Sequence, residues 1–167
     1  MIIGISGKKR SGKDTVADII CSMYPKSLKY SFASPLKMEI ACATGFSIRY
    51  IEEHKENFRL MLQGWGTDFR RKIFGEDYWI KKMDDAMVLL RSQYENIIIP
   101  DVRFLNEYEW VKNEGGVMIR VERSIDYSDT HISETELDHS IFDHTIVNDG
   151  TERDLVTKVE QLKLIKQ

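Results

Sequence analysis

The chain opens on Ile2-Ile3-Gly4-Ile5-Ser6, an apolar run that reads as a short buried strand. Val16, Ile19, Ile20 and Met23 then recur at i, i+3, i+4 and i+7, the spacing of a single helix face. Leu28 to Phe32 reads as a second strand, ended by Ala33-Ser34-Pro35. Ser34 suits the cap of a helix whose first turn holds Pro35 and whose inner face carries Leu36 and Ile40. The middle third is helical in pattern: Phe58, Met61, Leu62 and Trp65 form one stripe, and Ile80, Met83, Met87 and Leu90 another. Asn96 to Pro100 carries three consecutive isoleucines, the mark of a strand covered on both faces. Phe104, Tyr108 and Val111 fit a helix that stops at Gly115-Gly116, Val117 to Val121 is a fourth strand, and Thr145 to Val147 a fifth. The polar stretch from Ser124 to Asp138 lacks periodicity and reads as a mobile loop or a small helical excursion. Leu155, Val159 and Leu162 place a last helix, entered through the turn Asn148-Asp149-Gly150-Thr151. Strands alternating with helices predict an α/β fold, a parallel sheet with helices on both faces.

Composition narrows the class. A length of 167 residues predicts one domain, and no Gly/Ser/Pro-rich linker divides it. Lys plus Arg total 24 against 27 Asp plus Glu, a net charge of −3 that argues against a dedicated duplex-DNA binder. The longest apolar run is five residues, Ala86 to Leu90, far short of the ~18 that a membrane span needs. Gly7-Lys8-Lys9-Arg10 breaks the opening apolar stretch before a signal peptide could form, so a cytoplasmic protein is expected. Cys21 and Cys42 are too few for a disulfide framework and read as buried reduced thiols.

The strongest chemical signal is Gly7-Lys8-Lys9-Arg10-Ser11-Gly12-Lys13-Asp14-Thr15, which matches G-x-x-x-x-G-K between a strand and a helix. Glycines there let successive backbone N–H groups turn inward around phosphate oxygens, and the helix that follows adds the positive end of its dipole. Lys13 would bridge the β- and γ-phosphates and neutralise charge as the phosphoryl group moves. Asp14 stands where a hydroxyl usually ligates Mg²⁺. It could bind the ion directly or through water, Thr15 is its rival one residue along, and Asp14 could equally only cap the helix. The glycines do not make a dinucleotide-binding G-x-G-x-x-G, and no base-reading N-K-x-D of a GTPase is present. A small kinase using ATP remains.

Such an enzyme needs cations for an anionic acceptor and a cover for the reacting phosphates. Arg59, Arg70 and Arg71 lie in the helical middle third, and Lys37 follows Pro35 at a helix start. Asp101 sits at the carboxyl end of the isoleucine strand, where ligands bind in open parallel sheets, with Arg103 two residues on. Asp101 could orient Mg²⁺-bound water or accept a hydrogen bond from the acceptor. Arg120 and Arg123 flank the end of the fourth strand, and both can face a nucleotide only if the strand ends before Arg123. His131, His139 and His144 with Asp138 and Asp143 lack the spacing of a zinc site and read as solvated loop residues.

These residues carry a resemblance. The loop Gly7 to Thr15, with Asp after the lysine, resembles that of the bacteriophage deoxynucleoside monophosphate kinases. The likeness continues through Phe32-Ala33-Ser34-Pro35-Leu36-Lys37, Leu62-Gln63-Gly64-Trp65-Gly66-Thr67, Trp79 and Asp101-Val102-Arg103-Phe104-Leu105-Asn106-Glu107. Ser133-Glu134-Thr135-Glu136-Leu137-Asp138 and Asn148-Asp149-Gly150-Thr151 complete it, with Leu105 in place of a proline usual in that family. The resemblance implies a three-layer P-loop kinase fold: a five-stranded parallel sheet of order 2-3-1-4-5, an acceptor-binding helical segment over about 35–93 and a lid over about 123–140. It implies ATP phosphates on Gly7, Lys8, Lys9, Arg10, Ser11, Gly12, Lys13, Asp14 and Thr15, with Asn148 to Thr151 beside the adenine and Asn148 and Gly150 as the binding candidates there. Lys37, Arg59, Gln63, Arg70, Asp101, Arg103 and Glu134 become acceptor candidates, and Asp14 and Asp101 Mg²⁺ candidates. Lys13, Arg103 and Arg123 become the catalytic candidates. The implied reaction phosphorylates deoxynucleoside monophosphates, with small-molecule nucleotides rather than nucleic acid or membrane as partners, and a homodimer stays open. The same motifs also resemble animal-type phosphomevalonate kinases; the alternatives are a kinase of another small phosphorylated acceptor such as phosphomevalonate, or a non-catalytic ATP-binding protein.

Overall fold

The computed structural model describes residues 1–124 and 135–164. Its centre is a sheet of five parallel strands in the order β2-β3-β1-β4-β5. They are β1 (Ile2–Ser6), β2 (Ser27–Lys29), β3 (Asn96–Ile99), β4 (Val117–Glu122) and β5 (His144–Val147). The register pairs Ile3 of β1 with Ile98 on one side and Val117 on the other, and sets Ser6 beside Arg120.

Alternation along the strands sorts side chains to two faces. Ile3, Ile5, Ile98, Ile119 and Val121 pack with Val16, Ile19 and Ile20 of helix α1 (Lys13–Met23) and with Leu155 and Val159 of the last helix, α8 (Glu152–Gln161). On the opposite face Gly4 meets Met118, Val102 and Val111, the last on helix α7 (Leu105–Asn113). Helices therefore cover both faces of this sheet, as the alternation of elements predicts. The covered strands explain the isoleucine runs: Ile3, Ile5, Ile98 and Ile99 are wholly buried.

The chain resolves into two compact units, one of Met1–Ser31 with Leu90–Gln167, the other of Phe32–Leu89. The second unit is helical: α2 (Ala33–Thr44), α3 (Ile48–Glu53), α4 (Lys55–Gln63), the π-helix Gly64–Arg71, the short α5 (Lys72–Phe74) and α6 (Tyr78–Gln93). Phe32, Leu36, Ile40, Ile51, Phe58, Trp79, Met83 and Met87 are buried apolar side chains of this unit.

Four local expectations need correction. Strand β2 covers Ser27–Lys29 rather than Leu28 to Phe32, because Phe32 already has helical backbone angles (φ −59°, ψ −27°) and leads straight into α2. The α2 helix consequently begins at Ala33, so Ser34 lies inside its first turn and Phe32, not Ser34, holds the N-cap position. In the Phe58, Met61, Leu62, Trp65 stripe only Phe58 is buried and Met61 is 42% exposed. The register change at Gly64 takes Trp65 out of the 3.6-residue period, while Met61 and Leu62 still belong to α4. Cys42 is exposed and Cys21 half-buried, so neither is the buried thiol expected.

Candidate active site

The phosphate loop joins β1 to α1. Its last glycine, Gly12, has φ +104°, a conformation glycine reaches at no steric cost. A Cβ added there would lie 2.4 Å from Asn148 Nδ2, so the position is closed on both counts. Asn148 holds the loop from the far edge of the sheet: its side-chain amide donates to the Ser11 carbonyl at 2.8 Å while its backbone N–H donates to Glu122 at 2.7 Å. The Lys13 ammonium is buried and donates to the Gly7 and Lys8 carbonyls at 2.6 and 2.8 Å. Ser11 Oγ is buried with no hydrogen-bond partner among the described residues. A buried hydroxyl left unpaired costs about 1–3 kcal/mol, so this atom and the folded-back ammonium both suit an anion that would occupy the loop.

Asp14 and Thr15 are exposed in the first turn of α1, and Lys29 Nζ stands 4.0 Å from the Asp14 carboxylate. Asp101 follows β3 and is half-buried. Mg²⁺ takes one or two carboxylates and completes its shell with phosphate oxygens and water, so the donor type at these two positions fits the ion.

Arg120 leaves β4 beside Ser6, donating to Ser6 Oγ at 3.4 Å and to Asp138 at 2.6 Å, with the Phe142 ring 5.5 Å away. Lys8 lies 3.7 Å from the same Asp138 carboxylate. Strand β4 ends at Glu122, so Arg123 is past the alternation that separated it from Arg120, and it is exposed. Buried Glu107 accepts from the backbone N–H groups of Arg103 and Phe104 at 2.8 and 3.2 Å, fixing the turn between Asp101 and α7. The Leu105 N–H donates to Glu136 at 2.7 Å, a bond that a proline at this position has no hydrogen to make.

The helical unit holds a second cluster. Glu39 of α2 accepts from Trp65 Nε1 at 2.9 Å, Arg70 Nε at 2.7 Å and the Tyr78 hydroxyl at 2.5 Å. Burial by itself would raise the Glu39 pKa, but the hydrogen bonds from Tyr78, Trp65 and Arg70 outweigh it and hold the carboxyl below its ordinary value. Burial and the same carboxylate push the Tyr78 hydroxyl up. The Arg70 guanidinium lies 5.1 to 5.8 Å from the ring centres of Trp65, Phe69, Phe74 and Tyr78. Met38, Glu39, Cys42, Ala43, Trp65 and Arg70 line an open groove of about 560 Å³.

Comparison with known proteins places this architecture. The family model for deoxynucleotide monophosphate kinase matches residues 1–58 and 46–159. The chain belongs to the deoxynucleotide monophosphate kinase family. A protein of Acanthamoeba polyphaga mimivirus is 31% identical over 95% of this chain and 94% of its own length. The deoxynucleotide monophosphate kinase of Enterobacteria phage T4 is 26% identical, covering 95% of this chain and 97% of the phage protein. Among solved structures, TT1252 from Thermus thermophilus has a TM-score of 0.57 at 18% identity, covering 99% of this chain and 98% of its own. Shikimate kinase from Aquifex aeolicus has a TM-score of 0.52 at 18% identity, over 97% and 95% of the two chains. These two likenesses bear on the fold alone, which is that of a P-loop kinase.

With the family in hand, the residues picked from sequence separate by surroundings. Gly7 to Gly12 form the loop and Lys13 to Thr15 the first turn of α1, with Asn148 bound to the loop; Gly150 is exposed and packs against Asp154 in the turn before α8. Lys37 is paired with Glu52 and only 13% exposed, and Arg59 lies 3.9 Å from Glu56 one turn away. Gln63 ends α4. Arg71 is buried and donates to the Glu76 carbonyl at 3.1 Å. Ser133 and Glu134, and residues 125 to 134 of the segment expected to form a lid, lie outside the described residues. Glu39, Glu107 and Ser11 Oγ as an unpaired atom were not singled out by sequence reading. The first two are carboxylates that act through backbone or side-chain partners, a role no spacing advertises.

Proposed function

We propose that this chain transfers the γ-phosphoryl group of ATP to the 5′-phosphate of a deoxynucleoside monophosphate, giving ADP and the diphosphate. Membership of the deoxynucleotide monophosphate kinase family supports the acceptor. The observation that carries the reaction type is the loop between β1 and α1, where the Lys13 ammonium folds back on the Gly7 and Lys8 carbonyls and the buried Ser11 Oγ has no partner among the described residues.

The acceptor oxygen is already ionised at neutral pH, so no strong general base is required. Catalysis then rests on positioning and charge neutralisation. Lys13 supplies a fixed ammonium for the transferring group, and the loop N–H groups orient the ATP phosphates. Bound Mg²⁺, held by Asp14 and Asp101 with phosphate oxygens and water, would draw charge from the β- and γ-phosphates. Arg103 and Arg123 are the arginines assigned to the charge that develops on transfer, and Lys37, Arg59, Gln63, Arg70 and Glu134 to acceptor binding. Asn148 acts on ATP through the loop it clamps. No described helix is long and apolar enough to cross a membrane. The substrates are free nucleotides, and with relatives encoded by phages the working compartment proposed is the host cytoplasm.

A panel of acceptors with Mg·ATP tests the reading: each common deoxynucleoside monophosphate, the ribonucleotides and phosphomevalonate. ADP release that depends on one or more deoxynucleoside monophosphates is expected. Release driven by phosphomevalonate alone would replace this reading with the alternative acceptor.

A further inference from the structure

The Glu39 cluster asks what a carboxylate with three donors is for. Two of those donors, Trp65 and Arg70, are five residues apart in the π-helix Gly64–Arg71. On an α-helix residues five apart point about 140° away from each other. A π-helical register bonds i to i+5 and brings such a pair to one side. The register is maintained locally: Trp79 Nε1 donates to the Gly66 carbonyl at 3.0 Å, and a Cβ at Gly66 would press on Leu36 at 3.1 Å. An eight-residue π segment is rare, and here its consequence is that one carboxylate grips both side chains.

The grip is specific about which nitrogen of Arg70 it uses. Glu39 takes Nε, and the rings of Trp65, Phe69, Phe74 and Tyr78 surround the guanidinium carbon. The two terminal nitrogens have no partner among the described residues, and Arg70 is part of the wall of the open groove. Glu39 and Arg70 are each 21% exposed, so the pair is held but reachable. A planar guanidinium fixed at one nitrogen keeps the paired donors that match phosphate. Fixing it before binding removes an ordering cost that a free arginine would meet when ligand arrives. Met38, Ala43 and Trp65 add apolar surface along the same groove for the remainder of a nucleotide.

We infer that Glu39 is a positioning residue for the acceptor nucleotide: it holds Arg70, through the π-helical register it shares with Trp65, ready for the acceptor's 5′-phosphate. The inference rests on the kinase reading above and adds to it the side chain that sets acceptor affinity. The rival is a purely structural ion pair, which would move stability and leave acceptor binding alone.

The test uses the full chain, with kinetics against dAMP, dCMP, dGMP and dTMP and calorimetric binding of the same four. Glu39→Gln keeps the size of the side chain but turns an amide toward cationic Arg70. It should raise the acceptor KM about tenfold or more, leave the ATP KM within about twofold, and weaken monophosphate binding by the same factor as the KM. Placed on top of Arg70→Ala it should add little. An unchanged acceptor KM with a lowered melting temperature, or equal rises in both KM values, would overturn the inference. If Glu39→Gln fails to fold, Tyr78→Phe decides, since it removes one hydroxyl: a rise of about threefold in acceptor KM alone supports the grip and no rise refutes it. A wild-type protein that binds a monophosphate yet transfers nothing would count against the kinase reading, while the same variants read by calorimetry still decide the role of Glu39.

Discussion

The two clusters are built in opposite ways. In the phosphate loop the ammonium's partners are close in sequence: Lys13 reaches back to Gly7 and Lys8, six and five residues away, with Asn148 clamping the finished loop from the edge of the sheet. Backbone geometry does most of the shaping, and glycine is chosen for what it lacks. In the helical unit Glu39 finds Arg70 and Tyr78 across separations of 31 and 39 residues, and every contact is made by side chains. A site for a triphosphate can be written as a short motif because its ligand is read mainly by main-chain N–H groups. A site assembled from distant side chains leaves no such string.

The comparison is broken most forcefully at Lys13. Removing its ammonium in Lys13→Ala should lower kcat about 10²–10³-fold, the scale of losing one preorganised donor, measured by coupled ADP release. A fall in acceptor affinity with kcat intact would mean that the loop does not handle the transferring group. Gly12→Ala comes next. Its φ of +104° and the approach of Asn148 should cost about 1–3 kcal/mol of local strain. ATP binding should weaken by tenfold or more while acceptor binding to the helical unit persists, which paired titrations would show.

The contribution of Glu39 is sharpened by pH. Its carboxyl is held below the ordinary value in the folded chain. The stability it provides is therefore complete above the unfolded pKa and is lost as pH falls through the folded one. The gap in melting temperature between wild type and Glu39→Gln should be widest near neutrality and narrow as acidification protonates the carboxylate. A gap independent of pH would show that packing, and not charge, explains the cluster. The smallest effect belongs to the cap of α8. Thr151 caps α8, accepting from the Asp154 N–H at 3.3 Å while Asp154 accepts from the Thr151 N–H at 2.8 Å. Thr151→Ala should cost about 1 kcal/mol in denaturant unfolding and leave turnover at saturating substrates unchanged.

The same contrast explains what could be read before the fold was seen. The parallel sheet and the loop were legible because buried strands and the G-x-x-x-x-G-K spacing are local patterns, whereas the strand order came only from the family resemblance. The turn before α8 was legible as well, but not the reciprocal cap that Thr151 and Asp154 make there. The start of α2 was misplaced because a proline near a serine suggests a cap, while the backbone at Phe32 is already helical. The π-helix was invisible because apolar periodicity presumes 3.6 residues per turn, and Gly64-Trp65-Gly66 departs from it. Glu39 gave no signal, since a lone acidic residue between Met38 and Ile40 looks like a solvated helix position until Trp65, Arg70 and Tyr78 close on it.

The account stands on phosphoryl transfer to a nucleotide phosphate. Its most direct test is product analysis by phosphorus NMR after mixing the protein with Mg·ATP and the four deoxynucleoside monophosphates. Equal amounts of ADP and a deoxynucleoside diphosphate are predicted, with both resonances absent in Lys13→Ala on the same time scale. Inorganic phosphate accumulating at a rate indifferent to the monophosphates would contradict it.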